Sequence, residues 1–290
     1  MKTAEYLSFV VNEIHTTVVA TVDDEGLPVT AAIDMMDCDE NSLYFLTAKG
    51  KSFYDRLIKR GFLALTAMKG KDTMSSAAVS IHRKLPKVKT IAMYASIQNI
   101  KHKTDAELRR LCDLGVGGLD IGVESGLDAA LTYMNKGHTA AEAKEQLLRL
   151  TKAGITYSFN AILGCGGADL WRENADATAD LINAVQPHLL FIGSLHAQPG
   201  CRLYNDMKTG AFKECTIGQL LDEQEQLIFR LELNDTIYFG SHPSNIVPMQ
   251  AILPKHKDEM LRIVRETRKE LQGKLDEYPV RGGEGSIINR

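Results

Sequence analysis

The stretch IGVESGLDAALTYMNKGHT, residues 121–139, ends a short apolar run on a carboxylate, Glu124, and turns at once through Gly126. It then supplies a cation, Lys136. Further along, Asn160 precedes the glycine-rich ILGCGG of residues 162–167, which contains Gly164. A carboxylate, an amide and glycines that allow close backbone approach suit a ribose and an amino-acid moiety, and Lys136 can neutralise a carboxylate there. The plainer reading of Glu124 alone is a strand-end carboxylate at a helix N-terminus. A second set lies in TAKGKS, residues 47–52. There Lys49 and Lys51 give charge, Thr47 and Ser52 give hydroxyls, and the helix that begins at Lys51 offers free N–H groups. The alternative is a solvated basic turn, because lysine at a helix N-terminus opposes the dipole.

Two kinds of pattern must position these residues. Up to about residue 85 the chain reads as short strands rich in β-branched and aromatic residues: TTVVATV (16–22), VTAAIDMM (29–36), SLYFLT (42–47), FLALTAM (62–68) and MSSAAVSIH (74–82). DDEG at 23–26 suits a hairpin loop, and KSFYDRLIKR (51–60) is a helix with Phe53, Leu57 and Ile58 on one face. This pattern predicts an antiparallel sheet curling into a barrel, over residues 1–85.

From residue 88 strands and helices alternate. TIAMYAS, LDIGVE, TYSFNAILG and HLLFIGS read as strands. Between and after them run helices with N-cap threonines at Thr104 and Thr139 and C-terminal glycines at Gly115 and Gly154. A last amphipathic helix occupies KHKDEMLRIVRETRKELQGKL. Alternation at this spacing predicts parallel βαβ units over residues 88–290, hence a mixed α/β protein whose second domain is a partial βα barrel. Ligands of such sheets sit at the carboxyl ends of the strands, a rim that gathers Tyr94, Glu124, Asn160 and SLHAQPG. His138 reads as a solvated or capping residue, and His196 as a packed loop residue.

Bulk composition narrows the partners. In 290 residues the formal net charge is −3, which gives no general electrostatic reason to expect nucleic acid or a membrane surface. No apolar run reaches the roughly 18 residues of a bilayer span, and the amphipathic N-terminus is no secretory signal, so a cytoplasmic location is expected. The five cysteines, Cys38, Cys112, Cys165, Cys201 and Cys215, form no CxxC or CxxxC spacing. A bound metal or [4Fe–4S] cluster is therefore not expected.

Residues 90 to about 235 resemble the later part of the radical S-adenosylmethionine (SAM) barrel of coproporphyrinogen-dehydrogenase-like and methylthiotransferase-like enzymes. The carrying runs are IGVESGLDAALTYMNKGHT, AGITYSFNAILGCGG and QPGCRLY. The resemblance implies that Glu124 and Lys136 grip the methionyl part of SAM, that Asn160 contacts the ribose, and that ILGCGG, with Gly164, lies beside the adenine. Gly167 stands where that motif commonly has a glutamate. The CxxxCxxC loop, which in that family holds the cluster, has no counterpart in this chain.

Residues 3 to about 83 resemble the flavin mononucleotide (FMN)-binding split barrel of the pyridoxamine-5'-phosphate-oxidase-like family, through VVATVDDEGLPVTAAI, NSLYFLTAKGKSFYDRLIKRG and FLALTAM. That resemblance implies FMN phosphate contacts at Thr47, Lys49, Lys51 and Ser52, and a homodimer, since the flavin of that family lies between two subunits. Together the two resemblances describe an oxidoreductase-like flavin domain fused to a radical-SAM-like domain without iron–sulfur ligands, binding FMN, SAM or both weakly. The alternatives are a radical-SAM enzyme fragment, or a non-catalytic chimera that has lost both ligands.

Overall fold

The structure, a computed structural model, describes residues 3–47, 49–66, 78, 79, 81, 87–197 and 199–279. They separate into two compact units, 3–66 and 78–279.

The first unit opens with a helix α1 (Thr3–Phe9) that runs on as a wider turn over Val10–Ile14. Four strands follow, β1 (Thr16–Val22), β2 (Pro28–Cys38), β3 (Leu43–Phe45) and β4 (Ala64–Thr66), in the antiparallel order β3-β2-β1-β4. The expected hairpin is present. Gly26 takes φ 78°, and Asp23 closes the turn by accepting the Leu27 N–H on its side chain at 2.7 Å. A helix α2 (Ser52–Arg60) lies between β3 and β4 and ends at Gly61 with φ 67°, a conformation that favours glycine. Val19, Met35 and Phe53 form its buried core, with Ile33, Leu57 and Leu65 packed against them. The described strands make an open antiparallel half-barrel rather than a closed one.

Two expected strands differ. FLALTAM narrows to the three residues of β4, its later residues lying outside those described. In MSSAAVSIH the described residues Ala78, Val79 and Ile81 are helical. Adjacent alanines lose little entropy in a helix and carry no β-branch, so the alternation there was a misleading signal.

In the second unit, six strands share one sheet: β5 (Ile91–Ala95), β6 (Val116–Glu124), β7 (Tyr157–Leu163), β8 (Leu189–Ser194), β9 (Thr236–Phe239) and β10 (Gln250–Leu253). They lie in chain order across the sheet, β5 through β9 parallel and β10 antiparallel to β9. The connecting helices are α3 (Ile97–Lys101), α4 (Asp105–Asp113), α5 (Asp128–Tyr133), α6 (Ala140–Ala153), α7 (Gly167–Val185), α8 (Arg202–Thr209), α9 (Ile217–Arg230) and α10 (Lys257–Glu270). Thr104 and Thr139 close capping boxes with Glu107 and Glu142, and Gly154 ends α6 at φ 81°, as the sequence predicts. The short elements α3, α5, α8, β9 and β10 are additions to the sequence reading.

The two faces of this sheet differ. Ile121, Val123, Phe159, Ala161, Leu190, Ile192 and Tyr238 are buried, as are Leu147, Leu150, Ile182, Leu221 and Ile228 of the helices. Each of the larger of these side chains contributes about 1.5–3 kcal/mol of apolar burial, and this layer holds the unit together. On the alternate positions Asp120, Gly122, Glu124, Ser158, Asn160 and Phe191 are only half-buried. Tyr94 is 85% exposed, and Ile237 and Ile252 are about 40% exposed. Helices thus cover one face, and the other face carries the polar residues.

The turn after β6 is locked onto α7. Its Gly126 N–H donates to Thr178 Oγ1 at 2.9 Å, and a Cβ on Gly126 would overlap the Ala177 carbonyl oxygen. Backbone cannot retreat as a flexible side chain can. We expect Gly126→Ala to lower unfolding free energy by about 1–3 kcal/mol or more, measured by urea denaturation. Unchanged stability would show that this turn is not packed as described.

Candidate functional site

Parallel pairing brings the ends of β6 and β7 side by side, with Gly122 opposite Asn160 and Glu124 opposite Ala161. The register slips between those two pairs, a bulge that re-aims the strand end. Glu124 sits there at φ 77°, a left-handed conformation that costs a non-glycine residue about 1 kcal/mol or more. Its Oε1 accepts from Lys136 Nζ at 3.0 Å, the two side chains being 18% and 26% exposed. Gly122 makes room for this pair, because a Cβ there would lie 2.5 Å from Glu124 Oε1. Lys136 arrives from the turn after α5, and that turn is fixed in part by His138, whose Nδ1 lies 3.1 Å from the Lys136 carbonyl oxygen. Contrary to the sequence expectation, His138 is buried, and burial holds its proton affinity below the ordinary imidazole value. His196, expected to pack, is exposed.

Beside this pair is an acidic residue that the sequence reading passed over. Asp120 Oδ1 accepts from Ser158 Oγ at 2.7 Å and from Asn160 Nδ2 at 2.8 Å. Asn160 is thereby turned with its Oδ1 away from Asp120, and that oxygen is buried without a hydrogen-bond partner among the described residues. Asp120, Gly122 and Glu124 share the open face by simple strand alternation, which is the signal that could have found Asp120.

Gly164 follows β7 at φ 81°, with room for a Cβ denied by Leu220 Cδ2 at 2.9 Å. Its N–H donates at 2.8 Å to Glu223 Oε2, on α9. The other oxygen of Glu223 accepts from Asn174 Nδ2 of α7 at 2.6 Å. Asn174 Oδ1 in turn accepts from Ser125 Oγ, next to Glu124, and lies 3.4 Å from Cys165 Sγ. Burial pushes the Glu223 carboxyl up to about 7, opposed by the hydrogen bonds from Asn174 and Gly164. The sequence clue was a charged residue among Leu220, Leu221 and Leu227 on a helix.

At the far strands a second polar turn forms. Ser194 Oγ donates to Asn245 Oδ1 at 2.8 Å, and the Ser194 N–H to Ser244 Oγ at 2.9 Å. His242 Nδ1 is 2.7 Å from Ser244 Oγ, and its ring meets Phe191 edge-on at 5.9 Å. Asn245 also donates to the Ile192 and Gly240 carbonyls, so it is a structural clasp between β8 and β9.

Of the residues read from sequence, Glu124, Lys136, Asn160 and Gly164 stand together at the β6–β7 end. Thr47, Lys49, Lys51 and Ser52 belong to the first unit, around the start of α2. Lys49, Lys51 and Ser52 are exposed, Thr47 is half-buried, and α2 has no side-chain cap.

A [4Fe–4S] cluster does not fit the cysteines present. Cys38 is in β2, Cys112 ends α4, Cys165 follows β7, and Cys201 and Cys215 flank α8. Among the described residues no three His, Cys, Asp or Glu side chains gather to hold a metal. Burial, with the nearby Glu223 charge, also pushes the Cys165 and Cys215 thiols up, away from the thiolate that iron requires. The polar groups left at this strand end are the partner-free Asn160 oxygen and the partly exposed Glu124–Lys136 pair.

No protein-family model matches the sequence. A segment of 87 residues is 40% identical to the tRNA-2-methylthio-N(6)-dimethylallyladenosine synthase of Colwellia psychrerythraea, covering 29% of this chain and 18% of that enzyme. The enzyme of the same name from Idiomarina loihiensis is 37% identical over the same length. The match therefore spans less than a fifth of these relatives. Among solved structures, Elp3 of the archaeon Methanocaldococcus infernus aligns with 64% of this chain and 42% of its own, at 14% identity and TM-score 0.44. Methylornithine synthase PylB aligns with 72% and 63%, at 14% identity and TM-score 0.38. Likenesses of that extent carry no weight for residue roles. Nothing in these comparisons speaks for a split barrel or for flavin in residues 1–85. Among the described residues no helix is long and apolar enough to cross a membrane.

The backbone at Glu124 makes a separable prediction. Glycine adopts φ 77° without the cost that alanine, like glutamate, bears there. Glu124→Gly is expected to unfold at higher denaturant than Glu124→Ala, by about 1 kcal/mol, although both lose the ion pair. Equal stabilities would mean that the strand end relaxes in solution.

Proposed function

We propose that residues 87–279 are a radical-SAM-type fragment that binds an adenosyl amino acid, SAM or S-adenosylhomocysteine, at the β6–β7 strand ends, without cluster chemistry from cysteines of this chain. The observation that carries this reading is the Glu124–Lys136 pair at 3.0 Å, half-open and beside a partner-free Asn160 oxygen. A zwitterionic amino acid offers each member of the pair an opposite charge: its ammonium to Glu124, its carboxylate to Lys136. Exchanging one partner for another keeps each charge paired, so neither is left buried alone. Asn160 Oδ1 accepts a ribose hydroxyl, and Gly164 lets the adenine approach the backbone. The partial matches to methylthiotransferases favour this reading over the flavin fusion.

Without an iron to chelate the amino and carboxylate groups, affinity is expected to be modest, with Kd of about 0.1–1 mM or about −4 to −5.5 kcal/mol. Calorimetry with S-adenosylhomocysteine tests this. Glu124→Ala should weaken binding by about 1.5–3 kcal/mol, the size of one charge-assisted hydrogen bond, while adenosine affinity stays the same. Absence of binding at millimolar ligand, or equal affinity of wild type and Glu124→Ala, would leave Glu124 as a structural carboxylate.

A further inference from the structure

We propose that Glu223 is a buried positioning residue for the β6–β7 rim: its carboxylate is the common terminus of two donor chains that fix the turns after β6 and β7, and loss of its charge releases both. The regulation it implies rests on the ligand reading above, but the positioning itself does not.

One chain is direct. The Gly164 N–H donates to Glu223 Oε2, which anchors the glycine turn that follows β7. The other has three links: the Leu127 N–H donates to Ser125 Oγ at 2.8 Å, Ser125 Oγ–H to Asn174 Oδ1, and Asn174 Nδ2–H to Glu223 Oε1. Ser125 is the residue after Glu124, so this chain sets the backbone that holds Glu124 in its left-handed conformation. Every donor along the way points toward Glu223. Ser125, Asn174, Cys165 and Glu223 are all buried, and Glu223 is 0% exposed, so water does not substitute for a lost partner.

This polarity makes the network sensitive to one proton. A protonated Glu223 must donate from one oxygen, but a backbone N–H cannot accept. Turning over the Asn174 amide gives that proton a strong acceptor. That presents Nδ2–H to Ser125 Oγ, which has a second lone pair to receive it, but the Ser125 hydroxyl and the Cys165 thiol then lose Asn174 Oδ1 as their acceptor. Burial pushes the Glu223 carboxyl up to about 7, so this rearrangement falls near neutral pH. Its titratable neighbours are the Cys165 thiol from the β7 turn and the Cys215 thiol ahead of α9, both raised and hence uncharged in this range. Glu124 lies beyond Cys165. Asp222 and Glu225, adjacent on α9, are partly exposed and paired with Arg268 and Arg265 of α10. Among the described residues no Lys, Arg or His pairs with Glu223.

The sequence allows a direct test in ligand-free protein. Only two glycines follow a leucine, Gly115 and Gly164, so carbonyl-13C leucine with 15N-glycine labelling leaves two amide signals to assign. The Gly164 amide should shift with a midpoint near 7 between pH 5 and 9, and the Leu127 amide, seen with the converse labels, should follow the same midpoint. Both should be flat in Glu223→Gln. In Ser125→Ala the Gly164 amide should still titrate while Leu127 does not. A flat Gly164 amide in wild type, or a Leu127 amide that ignores the Gly164 midpoint, overturns the proposal, and neither result depends on a ligand. The ligand arm uses S-adenosylhomocysteine. Charge on Glu223 rises between pH 6 and pH 8, so affinity should be higher at pH 8, by up to about tenfold. Glu223→Gln should show the low value at both. If the amides titrate and S-adenosylhomocysteine does not bind, the positioning role stands and the functional reading falls.

Discussion

The parallel pairing of β6 with β7 is the constraint on which the candidate site depends. It puts Asp120 beside Ser158 and Gly122 beside Asn160, and the slip that follows lifts Glu124 toward Lys136. Parallel strands cannot be joined by a tight turn, so α5 and α6 must intervene. That crossover is what delivers Lys136 back to the strand end from which the chain departed. The helix-covered face makes the pairing durable, since Ile121, Val123, Phe159 and Ala161 are all buried there. Chemistry on one face is thus secured by apolar contacts on the other.

A second layer of support comes from α7 and α9. The two helices pack together and enclose Asn174 and Glu223, which receive the turns that follow β6 and β7. A buried carboxylate without a cation is an expensive component: its raised proton affinity means that ionising it in the folded state costs stability as pH rises from about 4.5 toward 7. The folded form binds the proton more tightly than the unfolded chain over that window, so the contribution is unfavourable above it. A leucine there would be cheaper and would leave the Gly164 N–H and Asn174 amide without acceptors. The position therefore trades stability for a fixed rim.

Much of this was readable from the chain. Glu124, Lys136, Asn160 and Gly164 were placed at one strand end because βαβ alternation dictates where strand ends meet, and the threonine caps at Thr104 and Thr139 marked helix starts with no need of tertiary context. What escaped was either short or dependent on partners. The four residues of β9 and of β10 are too few for a periodic signal, and they exist because they pair with β8 and with one another. Asp120 is one polar residue within a strand, and the donors that mark it, Ser158 and Asn160, reach it only through strand pairing. Glu223 sits 99 residues from Glu124 in the chain (223 minus 124), and only folding connects them. In the first unit the strand pattern led the reading past an alanine-rich segment whose described residues are helical.

The Asn160 amide has a consequence for selectivity. Its Nδ2 is committed to the Asp120 carboxylate, so the amide cannot turn over without setting oxygen against oxygen. The group left without a partner is therefore an acceptor, with a carboxylate behind it. An oxygen so directed suits hydroxyls and amines and repels groups bearing only lone pairs. A phosphate placed at the same point would meet two sources of negative potential and no donor. For the ligand proposed above, the direction in which this amide is locked favours a nucleoside hydroxyl over a nucleotide phosphate at that point.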